Sequence, residues 1–260
     1  MTSPTSVNAP AAPFPPIRVR TLGDFEIEVD GVPLRYGRAV PRKPLMLLQS
    51  LLALGGRTLS AHVASETLWP EAEGFDAYRS LVTTVYRLRR LLRHPQAVAF
   101  SGQGLQLNSA LVWVDAWTFE HELADTNPLP QLAAALELYR GPFLGEAEHP
   151  HAFETRERLQ RRYARSVRLV AQRYETQGDT ATAIALYERA LDVGVSSEEI
   201  HRELMQCLIR VGQMSAAAQV FQRCRTLLAR RLGISPSAST VMTFRSITQA
   251  TRDQRVTDAA

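Results

Sequence analysis

Five side chains between residues 79 and 90 have the chemistry to read nucleic acid: Arg79, Thr83, Tyr86, Arg87 and Arg90. Through the run 76–94, Leu81, Val85, Leu88 and Leu92 recur at i, i+4, i+7 and i+11, the stripe that an amphipathic helix buries. The five lie roughly opposite that stripe and offer three guanidiniums, a hydroxyl and a phenol, with no carboxylate among them. Arginine takes two acceptors of guanine at once or pairs with phosphate, so this is the face required of a helix lying in a DNA major groove. A solvated basic face carries the same residue types, so the surrounding elements must decide. Asp76 is placed to cap this helix and Pro95 to stop it.

The elements that hold such a helix are legible on either side. Arg18–Leu22, Phe25–Val29 and Val32–Leu34 alternate as short strands, broken by Gly23-Asp24 and Asp30-Gly31, the second a strong hairpin signal. Pro41-Arg42-Lys43-Pro44 opens a helix with Leu45, Leu48, Leu51 and Leu52 on its buried side, ending at Gly55-Gly56. Ser60 caps a second helix through Val63, Leu68 and Trp69, closed by Pro70. After Pro95, Val98–Phe100, Gly102–Gly104 and Leu105–Leu107 read as strand, turn and strand. Sheet, three helices and hairpin in this order make a winged helix-turn-helix with an added N-terminal sheet.

An ordered set of motifs then resembles the SARP-type bacterial transcriptional activators. The set comprises Leu22-Gly23-Asp24-Phe25, Pro41-Arg42-Lys43, Leu68-Trp69, Thr83–Leu92 and Val114-Asp115-Ala116-Trp117-Thr118-Phe119. It continues through Leu138–Leu144 and Leu227–Ser237, so that the resemblance covers about residues 17–250. It implies an OmpR-like winged helix paired with a bacterial transcriptional activator domain of tetratricopeptide-like helices. It also implies that the loop 69–75, through Glu71 and Glu73, contacts RNA polymerase. Phosphate repels those two carboxylates, which suits them to a basic surface on a protein instead. Where relatives often carry Trp, this chain has His151-Ala152-Phe153.

The second half reads as helical without that resemblance. Gly178 and Gly212 are 34 apart, as are Ala183 and Ala217, Tyr187 and Phe221, and Ala190 and Cys224. Thirty-four is the tetratricopeptide period, with small residues where paired helices touch. His201 and Met205 depart from the motif, so the second repeat is degenerate. Arg156, Arg158, Arg161, Arg162, Arg165 and Arg168 stud one helix, for which a solvated surface is the default reading.

Composition narrows the function further. The formal charge is +4, and residues 17–116 hold twelve Arg and Lys against nine Asp and Glu, an excess on the half with the basic helix. Cys207 and Cys224 lack metal-ligand spacing and are expected as buried thiols. No phosphate-cradling glycine loop and no catalytic arrangement stands out, and His149-Pro150-His151 reads as a loop pair rather than a metal site. No enzyme activity, cofactor or metal is therefore expected. With no signal peptide and no apolar run long enough for a bilayer, a cytoplasmic protein is expected.

The expected fold class is mainly α: an α+β winged helix-turn-helix followed by an all-α tetratricopeptide-like domain. The expected domains are a disordered leader at 1–16, the DNA-binding domain at 17–111, the helical-repeat activator domain at 112–250 and a flexible tail at 251–260. Arg79, Thr83, Tyr86, Arg87 and Arg90 are assigned to the groove. Arg42, Lys43 and Arg93 are assigned to phosphate, and Gln103 to the wing tip. The expected partners are double-stranded promoter DNA, RNA polymerase and a second copy through the helical repeats. The competing reading is a tetratricopeptide adaptor whose winged helix contacts protein.

Overall fold

The computed structural model describes residues 15–246 except 38, 57, 73, 103, 125, 146–148 and 196. The chain forms two compact units. One runs through Thr118 and takes in Phe143–Arg156; the other holds Phe119–Pro142 and the chain from Glu157 onward. The first is α+β and the second all-α, so the mainly α class read from the sequence holds.

In the first unit, β1 (Ile17–Arg20), β2 (Glu26–Val29) and β3 (Val32–Pro33) form an antiparallel meander. Asp30 and Gly31 both take positive φ, 52° and 79°, as the tight β2–β3 hairpin demands of both central residues. The helices α1 (Arg42–Ala53), α2 (Ala61–Leu68) and α3 (Gly74–Leu91) follow. Ser60 caps α2 by accepting the Val63 N–H at 3.1 Å. Leu47, Leu48, Leu51, Leu52, Leu68, Leu81, Leu88 and Leu92 are buried to within 1% and form the core of this unit.

The hairpin β4 (Val98–Ser101) and β5 (Gly104–Leu107) pairs Val98 with Leu107 and Ser101 with Gly104. Leu59, just before the α2 cap, adds a third edge: it exchanges backbone bonds of 2.8 and 2.7 Å with Leu105. That close approach requires glycine at 104. A Cβ there would lie 2.3 Å from the Leu59 carbonyl oxygen, and φ is +126°.

Four features differ from the sequence reading. A strand at Val112–Val114 (β6) pairs parallel with β1, giving the sheet order β3-β2-β1-β6. Three residues are too short to show a period, and the partner strand lies more than ninety positions away. Asp115 does more than start α4 (Asp115–Glu122): its buried carboxylate accepts the Thr21 N–H at 2.8 Å, the Thr21 hydroxyl at 2.7 Å and the Leu22 N–H at 3.1 Å. Burial pushes this carboxyl above its ordinary range, against the pull of those donors. Helix α3 begins at Gly74, so Asp76 lies inside its first turn, where a carboxylate suits the helix dipole, rather than at the cap. It ends at Leu91, beyond which Arg93 takes a φ of 56° and Pro95 opens a 3-10 turn.

The segment 143–156 returns to the first unit. Leu144 donates to the Thr21 carbonyl at 2.6 Å, and the Thr155 hydroxyl donates to the Ala53 carbonyl at 2.8 Å. His149 and His151 are this segment's anchors. His149 Nε2 lies 3.2 Å from both the Ser50 hydroxyl and the Met46 carbonyl, and His151 Nε2 lies 2.9 Å from the Thr67 hydroxyl.

The second unit is built from α5 (Leu129–Leu136), α6 (Ala152–Thr176, counted here from Glu157), α7 (Thr180–Asp192), α8 (Glu198–Arg210) and α9 (Met214–Leu232). Residues 238–246 are also helical. The 34-residue spacing is physical. Gly178 and Gly212 both take left-handed backbone angles, with Asp179 N–H donating to the Tyr174 carbonyl and Gln213 N–H to the Leu208 carbonyl. Ala183 and Ala217 are fully buried, with Tyr187 and Phe221 packed one helical turn on. Phe119, Tyr139 and Tyr163 form an aromatic cluster, the two tyrosines stacked at 4.1 Å.

Candidate nucleic-acid interface

Helix α3 buries Ala77, Leu81, Thr84, Val85 and Leu88 and turns its other side to solvent. Arg79, Thr83, Tyr86, Arg87 and Arg90 are all exposed, and all stand on α3. The Thr83 hydroxyl donates to the Arg79 carbonyl at 3.1 Å, one turn back. The Arg79 guanidinium lies 5.9 Å from the centroid of the Phe75 ring.

The fourth arginine of the helix behaves differently. Arg89 donates twice to the Val98 carbonyl, from Nε at 3.0 Å and Nη2 at 2.8 Å. Tyr78 on α3 meets Phe100 on β4 with ring centroids 6.1 Å apart. The helix and the hairpin are thus tied to each other through Arg89 and Tyr78, neither of which is among those five.

The residues assigned to phosphate divide. Arg42 is exposed at the first residue of α1, whose first turn holds no acidic side chain and no side-chain cap. Arg93 is exposed just past the end of α3. Lys43 has an internal partner: its ammonium donates to the Leu68 carbonyl and lies 5.4 Å from the Trp69 ring centroid. It holds the start of α1 to the end of α2. Glu71 is exposed in the α2–α3 loop, while Glu73 and Gln103 lie outside the described residues.

Sequence reasoning missed two residues of this face. Phe75 and Val82 are both exposed, at 75% and 43%. With Tyr86 they fall at i, i+7 and i+11, a spacing open to view in the sequence but overlooked because apolar residues at helical spacing are ordinarily assigned to a core.

A family model described as the bacterial transcriptional activator domain matches residues 115–248. The chain belongs to this family. The matched stretch opens at Asp115, where α4 leaves β6, and runs on past α9. The Regulatory protein AfsR of Streptomyces coelicolor is 27% identical over 230 residues, which cover 85% of this chain and 23% of AfsR. The chain thus spans about a quarter of that relative's length. Mycobacterium tuberculosis EmbR, solved in complex with a low-affinity phosphopeptide, superposes with a TM-score of 0.66 at 21% identity. That match covers 90% of this chain and 65% of the EmbR chain. At that identity the likeness speaks to fold. The SARP-type assignment implied by the ordered motifs stands, and the family is one of transcriptional activators rather than an enzyme class. Among the described residues, no helix is long and apolar enough to cross a membrane.

Proposed function

We propose that this chain is a sequence-specific DNA-binding regulator that activates transcription by recruiting RNA polymerase. The observation that carries the reading is the outward face of α3: Arg79, Arg87 and Arg90 exposed together with Thr83 and Tyr86 and no carboxylate between them. Base edges are read from that face, while phosphate contacts hold the register. Arg42 and Arg93 are the phosphate ligands we favour, because Lys43 is engaged with Leu68. Gln103 is assigned to a backbone contact beside the groove. Glu71 and Glu73 are assigned to polymerase rather than DNA, since phosphate repels them. The second, all-α unit supplies self-association.

The test is a salt titration of the full chain on duplexes recovered by mapping the protein on its own chromosome. Counterion release makes the logarithm of affinity fall linearly with the logarithm of salt, with a slope of about −0.9 per phosphate contact. A flat response overturns the DNA reading. In a purified transcription assay, Glu71→Lys with Glu73→Lys keeps DNA affinity and abolishes activation. Normal activation by that variant moves the polymerase contact to another surface.

A further inference from the structure

The exposed side of α3 carries more than cations. Phe75, Val82 and Tyr86 are 75%, 43% and 60% exposed, and they interleave with Arg79 and Arg90 along one line of the helix. A face shaped only by solvation has no use for a valine at its centre, because exposed β-branched side chains lower helix propensity and gain nothing from water. Val82 also stands between two groups that fix what lies opposite. Arg79 is one turn before it and Tyr86 one turn after; the face carries Arg79, Arg87 and Arg90 against one carboxylate, Asp76 in the first turn. The charge selects a polyanion, and the apolar centre then has to meet whatever apolar group that polyanion presents.

In the major groove of a DNA duplex the apolar group on the base edges is the thymine C5-methyl. We infer that Val82 is a specificity-determining residue that packs its methyl groups on the C5-methyl of a thymine in the operator. This rests on the DNA-reading role of α3 proposed above and goes beyond it by naming the base. Val82 follows Arg79 by three residues, roughly 4.5 Å along the axis at the usual helical rise. The thymine therefore lies within about two base pairs of the base that Arg79 reads, at a duplex rise of about 3.4 Å. Tyr86 closes the far side of the same patch and shields the contact from water. Phe75, held against the Arg79 guanidinium, sets the direction in which that arginine leaves the helix.

The full chain is tested on an operator selected from random duplexes, with each thymine replaced singly by uracil. Uracil keeps every hydrogen-bonding group of thymine and removes only the methyl. Wild-type protein loses affinity at one position near the Arg79-contacted base, by roughly fourfold for one buried methyl. Val82→Ser, a substitution at an exposed site, shows the same loss on the thymine operator and no further loss with uracil at that position. Val82→Thr, which keeps one methyl, falls between. If wild type and Val82→Ser respond alike to uracil at every position of a selected operator, Val82 does not read thymine, although the DNA-reading role survives. If no sequence is enriched by the wild-type chain, both readings fall.

Discussion

Two arginine-rich helices in this molecule put the same side chain to opposite uses. On α3, Arg79, Arg87 and Arg90 are exposed and Arg89 is bound to a carbonyl. On α6 the proportions reverse. Arg156 donates to the Phe143 carbonyl at 3.0 Å, Arg158 pairs with Glu120, Arg162 donates to the Glu120 carbonyl at 3.0 Å, and Arg168 donates to Glu203 at 2.8 Å. Arg161 and Arg165 complete the row and are exposed, as Arg158 and Arg162 are despite their ties. The solvated surface expected for α6 is therefore in good part a set of ties to other segments. A count of arginines does not separate the two cases. What separates them is whether acceptors from distant parts of the chain are brought within reach.

The strongest way to break that contrast is the double substitution Arg87→Ala with Arg90→Ala. Each bidentate base contact contributes about 1–3 kcal/mol, so the pair together costs specific binding several kcal/mol, while the melting temperature stays put. An operator affinity equal to wild type, measured by fluorescence anisotropy, would take the reading role away from α3.

Arg89→Ala should cost less and act differently. Removing a charged donor from the Val98 carbonyl costs about 1.5–3 kcal/mol of stability, and binding to all duplexes weakens alike because the wing loses its anchor. A loss confined to one operator position in a binding-site scan would instead make Arg89 a base reader.

Acidification probes each unit through one histidine. Burial lowers the pKa of His149 and of His201 below the ordinary 6.5. A depressed folded value means the neutral ring is the one the fold accommodates. The stability it contributes is fully present above about pH 6.5 and is lost as pH falls through the folded values. Calorimetry should therefore show a melting temperature that is level from pH 8 to 7 and falls below about 6.5. His201→Asn should flatten that fall for the helical unit and leave the His149 contribution in place. Identical pH profiles for the variant and wild type would remove His201 from the account.

The smallest effect is expected on α6. Arg158→Ala breaks a pair that is about half exposed on the arginine side, so it should cost about 0–1 kcal/mol of stability and leave DNA affinity unchanged. A fall in operator affinity with this variant would mean that α6 offers its charge outward as α3 does.

Much of this arrangement could be read from local pattern. The stripe Leu81, Val85, Leu88 and Leu92 placed α3 and its exposed side, because a helix repeats every 3.6 residues and neighbours in space are neighbours in sequence. Asp30-Gly31 and Ser60 were legible for the same reason, each acting within two or three residues of itself. The 34-residue echo of Gly178 in Gly212 needed only that two copies of one motif obey one geometry. Lys43 was less legible. Its sequence neighbours suit a phosphate contact, and the Leu68 carbonyl that engages it is 25 residues away.

By itself, then, the sequence determined the helices, their buried sides, the hairpins, the repeat and the family, all of which rest on short-range periodicity or on ordered motifs. Tertiary structure alone decided which polar groups are occupied. It paired β6 with β1, carried the Asp115 carboxylate to the backbone of Thr21 and Leu22, and returned residues 143–156 to the first unit. It also left Val82 in solvent rather than in a core. The physical reason is that an arginine, a carboxylate or a valine has one chemistry and many possible neighbours. A pattern along the chain specifies the first, and only the folded backbone, by bringing acceptors and apolar surfaces within a few ångströms, specifies the second.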